Sequence, residues 1–367
     1  MSVVTVIQWF GFAPEQKTSF TTSFINLVLQ FSMVVMYVDV IVMFIVGVSI
    51  DNFLFKIVLE KIYSISCSMI VLGLLLRKRR PLAALLKKTS FICHPNTERK
   101  INIITGSFWM LLFSYGAMFL FISKYSGDDY AFVFFFYKIP MESEVLKYLI
   151  TYSKAFLYFF FYPTFPNITI LVFCTLCHRC SHSLRNLSKE LEKCPPKAFT
   201  VDVQIKYLKC RRKIVKLLQK TQDIFSLITF VICSASFSCC FAMLGQLIFY
   251  SFKHSGLSFL SDTIFNSVSA LLSLTVLFWI PGEVPIEMEK LSHAARKKYE
   301  LRASFGIGSE NPSIERALCE EKAFVLSGFN LVHFTKESVL TVMGTILTYG
   351  LLLTTLDLQS FPKSSDT

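Results

Sequence analysis

The 367-residue chain lacks the motifs on which most catalysis is built: it has no glycine-rich phosphate loop, no nucleophile elbow and no His-Glu-x-x-His. Nucleotide, acyl-transfer and zinc-hydrolase chemistry lose their usual carriers. An enzyme is therefore the last expectation, and no cofactor is called for. Charge is missing over long stretches, and the segment from Ser23 to Ile50 holds a single charged residue, Asp39. That segment is too long for a signal peptide and lacks a basic start followed by a small-residue cleavage site, so it is expected to remain as a span. No pair of matching broken helices and no internal repeat is present, which removes the usual sequence signature of a secondary transporter.

What is present is apolar. Hydrophobic residues make up 53% of the chain, 38 of them Phe, and mean hydropathy is +0.53, too apolar for a soluble chain of this length. Several windows exceed the roughly 20 apolar residues that a bilayer core requires. The expected class is an all-α, multi-pass membrane protein of the plasma membrane. Seven spans are predicted, near Ser23–Ile50, Ile57–Leu76, Ile103–Ser123, Val145–Cys174, Ile224–Phe249, Leu257–Ile280 and Val339–Leu358. Phe132 to Tyr137 is too short to cross.

Basic residues sort onto one side. The loops after the second, fourth and sixth spans carry eight, twelve and eight of the 37 Lys and Arg. The alternate loops hold little beyond Lys124, Lys138 and Lys253. By the positive-inside rule the three basic loops are cytoplasmic, so the amino terminus lies inside and the carboxyl terminus outside. This is the reverse of a G-protein-coupled receptor. The eleven cysteines agree, since all fall in spans or basic loops and leave no extracellular disulfide. No glycosylation sequon lies outside either, because Asn167 is within a span and Asn186 is on the basic side. The +12 charge reflects topology and anionic-lipid contact rather than nucleic acid.

Intramembrane charges are expensive and mark function. Asp39, Glu60, Lys61 and Lys154 map to the outer halves of their spans. Lys56 and Lys61 are expected to snorkel to the interface, whereas Asp39, deeper and shorter, needs a partner or water. A polar, aromatic cavity open to the outside would satisfy it, with candidate walls Tyr63, Tyr115, Phe119, Tyr152, Phe156, Gln246 and Asn266; each of these also reads as plain packing. Pro163 and Pro166 interrupt the fourth span and predict a kink that opens space beside the bundle. Cys174, Cys177, His178, Cys180 and His182 have zinc-like spacing. A helix, however, strings the three cysteines along one stripe, so reduced or palmitoylated thiols at the membrane edge are expected and no metal is assigned.

Three regions follow: a six-helix ligand-sensing bundle over 1–281 with cytoplasmic loops 77–101 and 176–222, cytoplasmic anchor helices over 282–336, and the last helix with a short outer tail over 337–367. Lys206 to Lys220 sets Tyr207, Leu208, Ile214, Val215 and Leu218 on one helical face. Glu287 to Leu301 also reads as helix, Gly306, Gly308 and Pro312 mark a break, and Ile314 to Val332 resumes a helical pattern. These helices serve as an assembly platform or as a partner-docking surface.

The last span carries an ordered polar line. At about 100° per residue, Thr341, Thr345, Thr348, Leu352 and Thr355 fall within roughly 80° of arc, with Thr354 off it. Such a line suits a helix along a water path; it also suits threonines bonded to backbone or to a neighbouring helix. The segment Phe334 to Tyr349 resembles the carboxyl-terminal signature of the arthropod gustatory receptor family: a final helix with a central Gly, here Gly344, then Thr348-Tyr349 and five further residues, Gly350 to Thr354. Thr355 and Leu356 stand where that family has Gln-Phe, so the chain resembles a divergent member. The resemblance implies a ligand-gated, non-selective cation channel acting as a chemosensory, taste-type receptor. It would be a homo- or hetero-tetramer with related subunits, each giving its last helix to a central pore. A small tastant-like molecule would bind among the second to sixth spans, and Thr355 and Leu356 would form the outer constriction. The alternative is a seven-helix receptor that signals through cytoplasmic partners without conducting ions.

Overall fold

Long apolar runs in lipid must satisfy their backbone internally, and a continuous helix does this best. The computed structural model describes residues 20–48, 52–90, 95–125, 135–137, 139, 142–249, 257–308, 311–320 and 324–360, and it is helical almost throughout. The helices are α1 (Phe20–Val48), α2 (Asn52–Arg77), α3 (Arg79–Ser90), α4 (Pro95–Tyr125), α5 (Glu144–Phe159), α6 (Phe165–Lys193), α7 (Val201–Phe249), α8 (Leu257–Trp279), α9 (Glu283–Ser304), α10 (Pro312–Cys319) and α11 (Lys336–Ser360). Among the described residues, five stretches are long and apolar enough to cross a membrane, and Trp109–Ile122 of α4 is a shorter apolar one.

Local chemistry sets the breaks. Ser143 caps α5 by accepting from the Leu146 amide at 3.4 Å, with Glu144 in the first turn. Between α5 and α6 a π-turn covers Phe160–Thr164, with Tyr162 extended and Pro163, which has no amide donor, inside it. The expected kink is therefore present. α7 runs 49 residues without interruption, about 73 Å, joining the apolar bundle to the basic end. α9 stops in a Schellman arrangement: Gly306 adopts φ +73°, its amide donates to Ala303, and Ile307 donates to Arg302.

At the basic end the lower halves of α6 and α7 pack with α9 and α10, and three buried cations there, Lys298, Arg211 and Arg302, bond to carbonyls. Lys298 Nζ donates to the carbonyls of Cys194 at 2.6 Å and Glu192 at 3.1 Å, closing the end of α6. Arg211, fully buried, donates to the Leu318 carbonyl at 2.9 Å, and Arg302 donates to that of Phe199.

The expectation of helix from Ile314 to Val332 is corrected. α10 ends at Cys319, and the chain then forms an antiparallel hairpin, β1 (Ser327–Gly328) with β2 (Val332–His333). Phe329, Asn330 and Leu331 connect the strands; Phe329 and Asn330 both have positive φ at the centre of a β-turn that the Leu331 amide closes on the Gly328 carbonyl at 3.0 Å. α7 supplies the reason for its stability. Gln222 bonds both the amide and the carbonyl of Ser327, and Ser226 takes the Phe329 amide. Tertiary hydrogen bonds to α7 thus outweigh local helical propensity.

Candidate functional site

Where α2 and α8 begin, two charges are taken out of water together. Lys61 Nζ donates to Asp262 Oδ2 at 2.5 Å, and Lys61 is 1% exposed. The expectation that Lys61 snorkels is corrected: its ammonium turns into the bundle, 4.0 Å over the Tyr158 ring. Tyr115 O–H donates to Asp262 Oδ1 at 2.5 Å and Asn266 Nδ2 donates to the same oxygen at 2.7 Å. A buried carboxylate needs several donors, and these are what it has. The intramembrane-charge rule that flagged Lys61 applies equally to Asp262, a lone acid early in an apolar segment; the sequence reading passed over it.

Asp39 finds the partner it needed in a second pair. Lys154 Nζ lies 2.9 Å from its Oδ1, and Tyr137 O–H donates to the same oxygen. Tyr137 follows Phe135 and Phe136, both buried, and Phe135 packs edge-on to Phe119. Burial, then the Asp39 carboxylate, push the Tyr137 phenol well above its ordinary pKa, so it stays a donor at physiological pH.

The predicted ligand residues scatter over several surfaces. Tyr115 and Phe119 are buried beside each other with ring centroids 4.8 Å apart, and Asn266 joins them through Asp262. Tyr152 and Phe156 stack on one another at 6.1 Å, with Tyr152 filling the space beside Gly116. Tyr63 points away, its hydroxyl 2.6 Å from Ser234 Oγ of α7. The Gln246 side chain lies outside the described residues. The crevice that Asn266 and Asp262 line holds only about 10 Å³, room for roughly one water.

A larger cavity lies beside this cluster, behind the partition made by Tyr115, Phe159 and Phe265, whose centroids are 4.2 to 6.3 Å apart. It measures about 450 Å³. Its walls are Leu111, Phe159, the π-turn residue Thr164, Asn167, Ile170 and Leu171 of α6, the α8 face that runs from Ile264 to Val276, and Ile280 just beyond it. The kink opens the space, as the prolines predicted. The lining is apolar except at one place. There Asn167 Nδ2 donates to Ser269 Oγ at 2.7 Å and Ser273 Oγ donates to Asn167 Oδ1. Apolar walls with a few converging polar groups are the usual composition of a small-molecule pocket. None of the predicted ligand residues lines it.

From the cavity's Val276–Ile280 end, packing continues into the last helix. Phe334 contacts Phe278 at 5.6 Å and Phe173 at 5.9 Å. Lys336, the first residue of α11, lies 3.5 Å from Glu283 and 4.7 Å over the Trp279 ring. Gly282 makes the approach possible, because a Cβ there would sit 2.7 Å from the Lys336 amide nitrogen and 2.8 Å from the Phe278 carbonyl.

α11 packs on the bundle through Val342, Ile346 and Gly350, with Gly350 against Leu244. The threonine stripe lies on the other side. Thr341 and Thr348 are exposed, Thr345 half-buried and Leu352 50% exposed. The hydroxyls of Thr341, Thr345 and Thr348 donate to the carbonyls of Glu337, Thr341 and Gly344, so these three bonds stay within α11. Each oxygen keeps lone pairs for a further partner. Tyr349 meets Phe241 edge-on at 5.6 Å. The side chains of Thr355 and Leu356 lie outside the described residues.

The expectation of cysteines at an accessible membrane edge is corrected. Cys174, Cys177 and Cys180 are buried within the bundle, at 0–3% exposure, because their stripe is the packing face of α6. Among the described residues no group of three or more His, Cys, Asp and Glu converges as a metal site.

No protein-family profile matches the chain, and no curated protein matches it in sequence. Solved structures do. The chain superposes on the insect olfactory receptor OR5 from Machilis hrabei with a TM-score of 0.73 at 12% identity, over 95% of this chain and 96% of that one. On the same receptor in complex with eugenol the TM-score is 0.75 at 14% identity, over 96% of both chains. The fold, end to end, is that of an insect olfactory receptor.

Proposed function

We propose that this protein is a chemosensory, taste-type, ligand-gated cation channel of the plasma membrane. A small, mostly apolar molecule with one hydrogen-bonding group binds in the cavity between the π-turn and α8 and opens a pore lined by α11. α1, α2, α4, α5–α6, α7, α8 and α11 make the seven spans, with the amino terminus in the cytoplasm. The subunits assemble as a homo- or hetero-tetramer, and the 282–336 anchor holds them at the basic end. Thr341, Thr345, Thr348, Leu352 and Thr355 face the ion path; Thr355 and Leu356 close it.

The observation that carries this reading is the placement of the threonine stripe on the side of α11 turned away from Val342, Ile346 and Gly350. Within a fold shared with an odorant receptor, that leaves the polar line for whatever lies beyond one subunit. The taste-type assignment rests on Thr348-Tyr349. The contacts of Phe278, Gly282 and Lys336 give the coupling route, since a ligand that spreads α8 displaces the start of α11.

The test is electrical. The purified protein in planar bilayers is expected to pass ligand-evoked cation current, and Leu356→Ala to leak without ligand, since a leucine ring closes a pore by dewetting. Silence in both would end the channel reading. The receptor that does not conduct is favoured by the i−4 hydrogen bonds of the threonines, and ligand binding without current would establish it.

A further inference from the structure

We propose that the crevice between α2 and α8 is a binding site for a single alkali cation, sodium in the first instance, held by Glu60, Asp262 and the Asn266 side-chain oxygen. The crevice is lined by Glu60, Asp262, Thr263, Asn266 and Ser267 on its polar side. Charge is the first argument. Two carboxylates share the one ammonium of Lys61, whose 2.5 Å ion pair is with Asp262. Ser64 Oγ donates to Glu60 Oε1 at 3.2 Å, and with both carboxylates ionised one negative charge is left over, a costly state in an apolar bundle. A monovalent cation brings the cluster to neutrality, whereas a divalent one leaves an excess positive charge.

Asn266 is the second and independent argument. Its residue is 6% exposed, and Oδ1 has no hydrogen-bond partner. The amide cannot be turned around to relieve this. Nδ2 donates both to the Asp262 carbonyl at 3.0 Å and to Asp262 Oδ1 at 2.7 Å, and a flipped amide would set oxygen against oxygen at both places. Oδ1 is thus an acceptor in want of a partner, on a residue that lines the same crevice as Glu60. The volume of about 10 Å³ admits one water-sized body. Glu60 and Asp262 lie three or four residues into their apolar stretches, which begin at Val58 and Phe259, so an ion reaches them from the nearby aqueous boundary. Hard oxygen donors suit such an ion.

The experiment is thermal unfolding of the purified full-length protein, without organic ligand, in sodium chloride and in choline chloride at equal ionic strength. A bound ion stabilises by mass action, so the unfolding midpoint should rise saturably with sodium, with choline inert. Glu60→Gln and Asn266→Ala should each lose at least tenfold in sodium affinity, with Lys61 and Asp262 intact. A midpoint indifferent to sodium in the wild type overturns the proposal outright and assigns the crevice to a proton or a water. Equal sodium dependence in the wild type and both variants overturns it too, by moving the ion elsewhere. Neither result depends on conduction or on the organic ligand, so the channel reading stands or falls separately.

Discussion

Removing Asp262 should cost more than removing both members of its pair. At 2.5 Å the attraction between Lys61 and Asp262 is about 7 kcal/mol at an effective dielectric constant near 20. Desolvating each ion costs several kcal/mol, so the net gain of the pair is small. Breaking it is another matter. Asp262→Ala strips Lys61 of its 2.5 Å counter-ion, takes the acceptor from Tyr115 O–H and leaves Asn266 Nδ2 only its bond to the backbone carbonyl; a loss of about 3–5 kcal/mol is expected. With both side chains almost wholly buried, solvent screening gives no discount. Lys61→Met leaves a carboxyl that retains two donors and can take up a proton, so its loss should be smaller, about 1–3 kcal/mol. The double variant Lys61→Met/Asp262→Asn should recover most of the stability. The assay is equilibrium unfolding of the purified chain in detergent micelles, read by tryptophan fluorescence. Additive losses, or an Asp262→Ala penalty below about 1 kcal/mol, would refute the assignment of Lys61 and Asp262 as a coupled buried pair.

Other outcomes are as definite. Gly282→Ala forces a methyl against the Lys336 and Phe278 backbones, so it should cost about 1–3 kcal/mol and raise the ligand concentration for half-maximal current; an unchanged dose–response curve would discount the Gly282 junction as a coupling route. Asn167→Leu removes the hydrogen-bonding centre of the large cavity and should weaken ligands bearing a hydroxyl by about tenfold, sparing purely apolar ones; equal loss for both kinds would point to collapse of the cavity instead. Leu352→Cys should react with a charged, membrane-impermeant thiol reagent only when ligand is present, as judged by irreversible block of current. Burial, together with Glu315, holds the Cys319 thiol up at about 11, so its alkylation should be slow near neutrality and still accelerate between pH 9 and pH 11; a plateau below pH 9 contradicts that environment.

The Pro163 and Pro166 kink and the Gly306 stop were legible because each follows from neighbours in the chain. The partner that Asp39 needed was also legible as a need, although nothing in the local pattern named Lys154 or Tyr137. The helix expected over Ile314 to Val332 failed at the point where Gln222 and Ser226, about a hundred residues earlier, supply the bonds that make a hairpin. The cysteine stripe was read correctly as a stripe and wrongly as an accessible edge, since spacing reports which residues share a face but not what that face meets.

By itself, then, the sequence determined a multi-helical chain, mostly apolar, with its basic residues gathered in alternate loops and a polar line along its last helix. Those are properties of hydropathy and of a 3.6-residue period, and both are local. Only the tertiary structure decided that Lys61 meets Asp262, 201 residues away, that Asn167 meets Ser269 and Ser273 on the wall of a 450 Å³ cavity, and that Gly282 lets α11 begin against the end of α8. Such meetings depend on which helices become neighbours. That choice is made by the packing of whole faces against one another, and no window of the chain contains it.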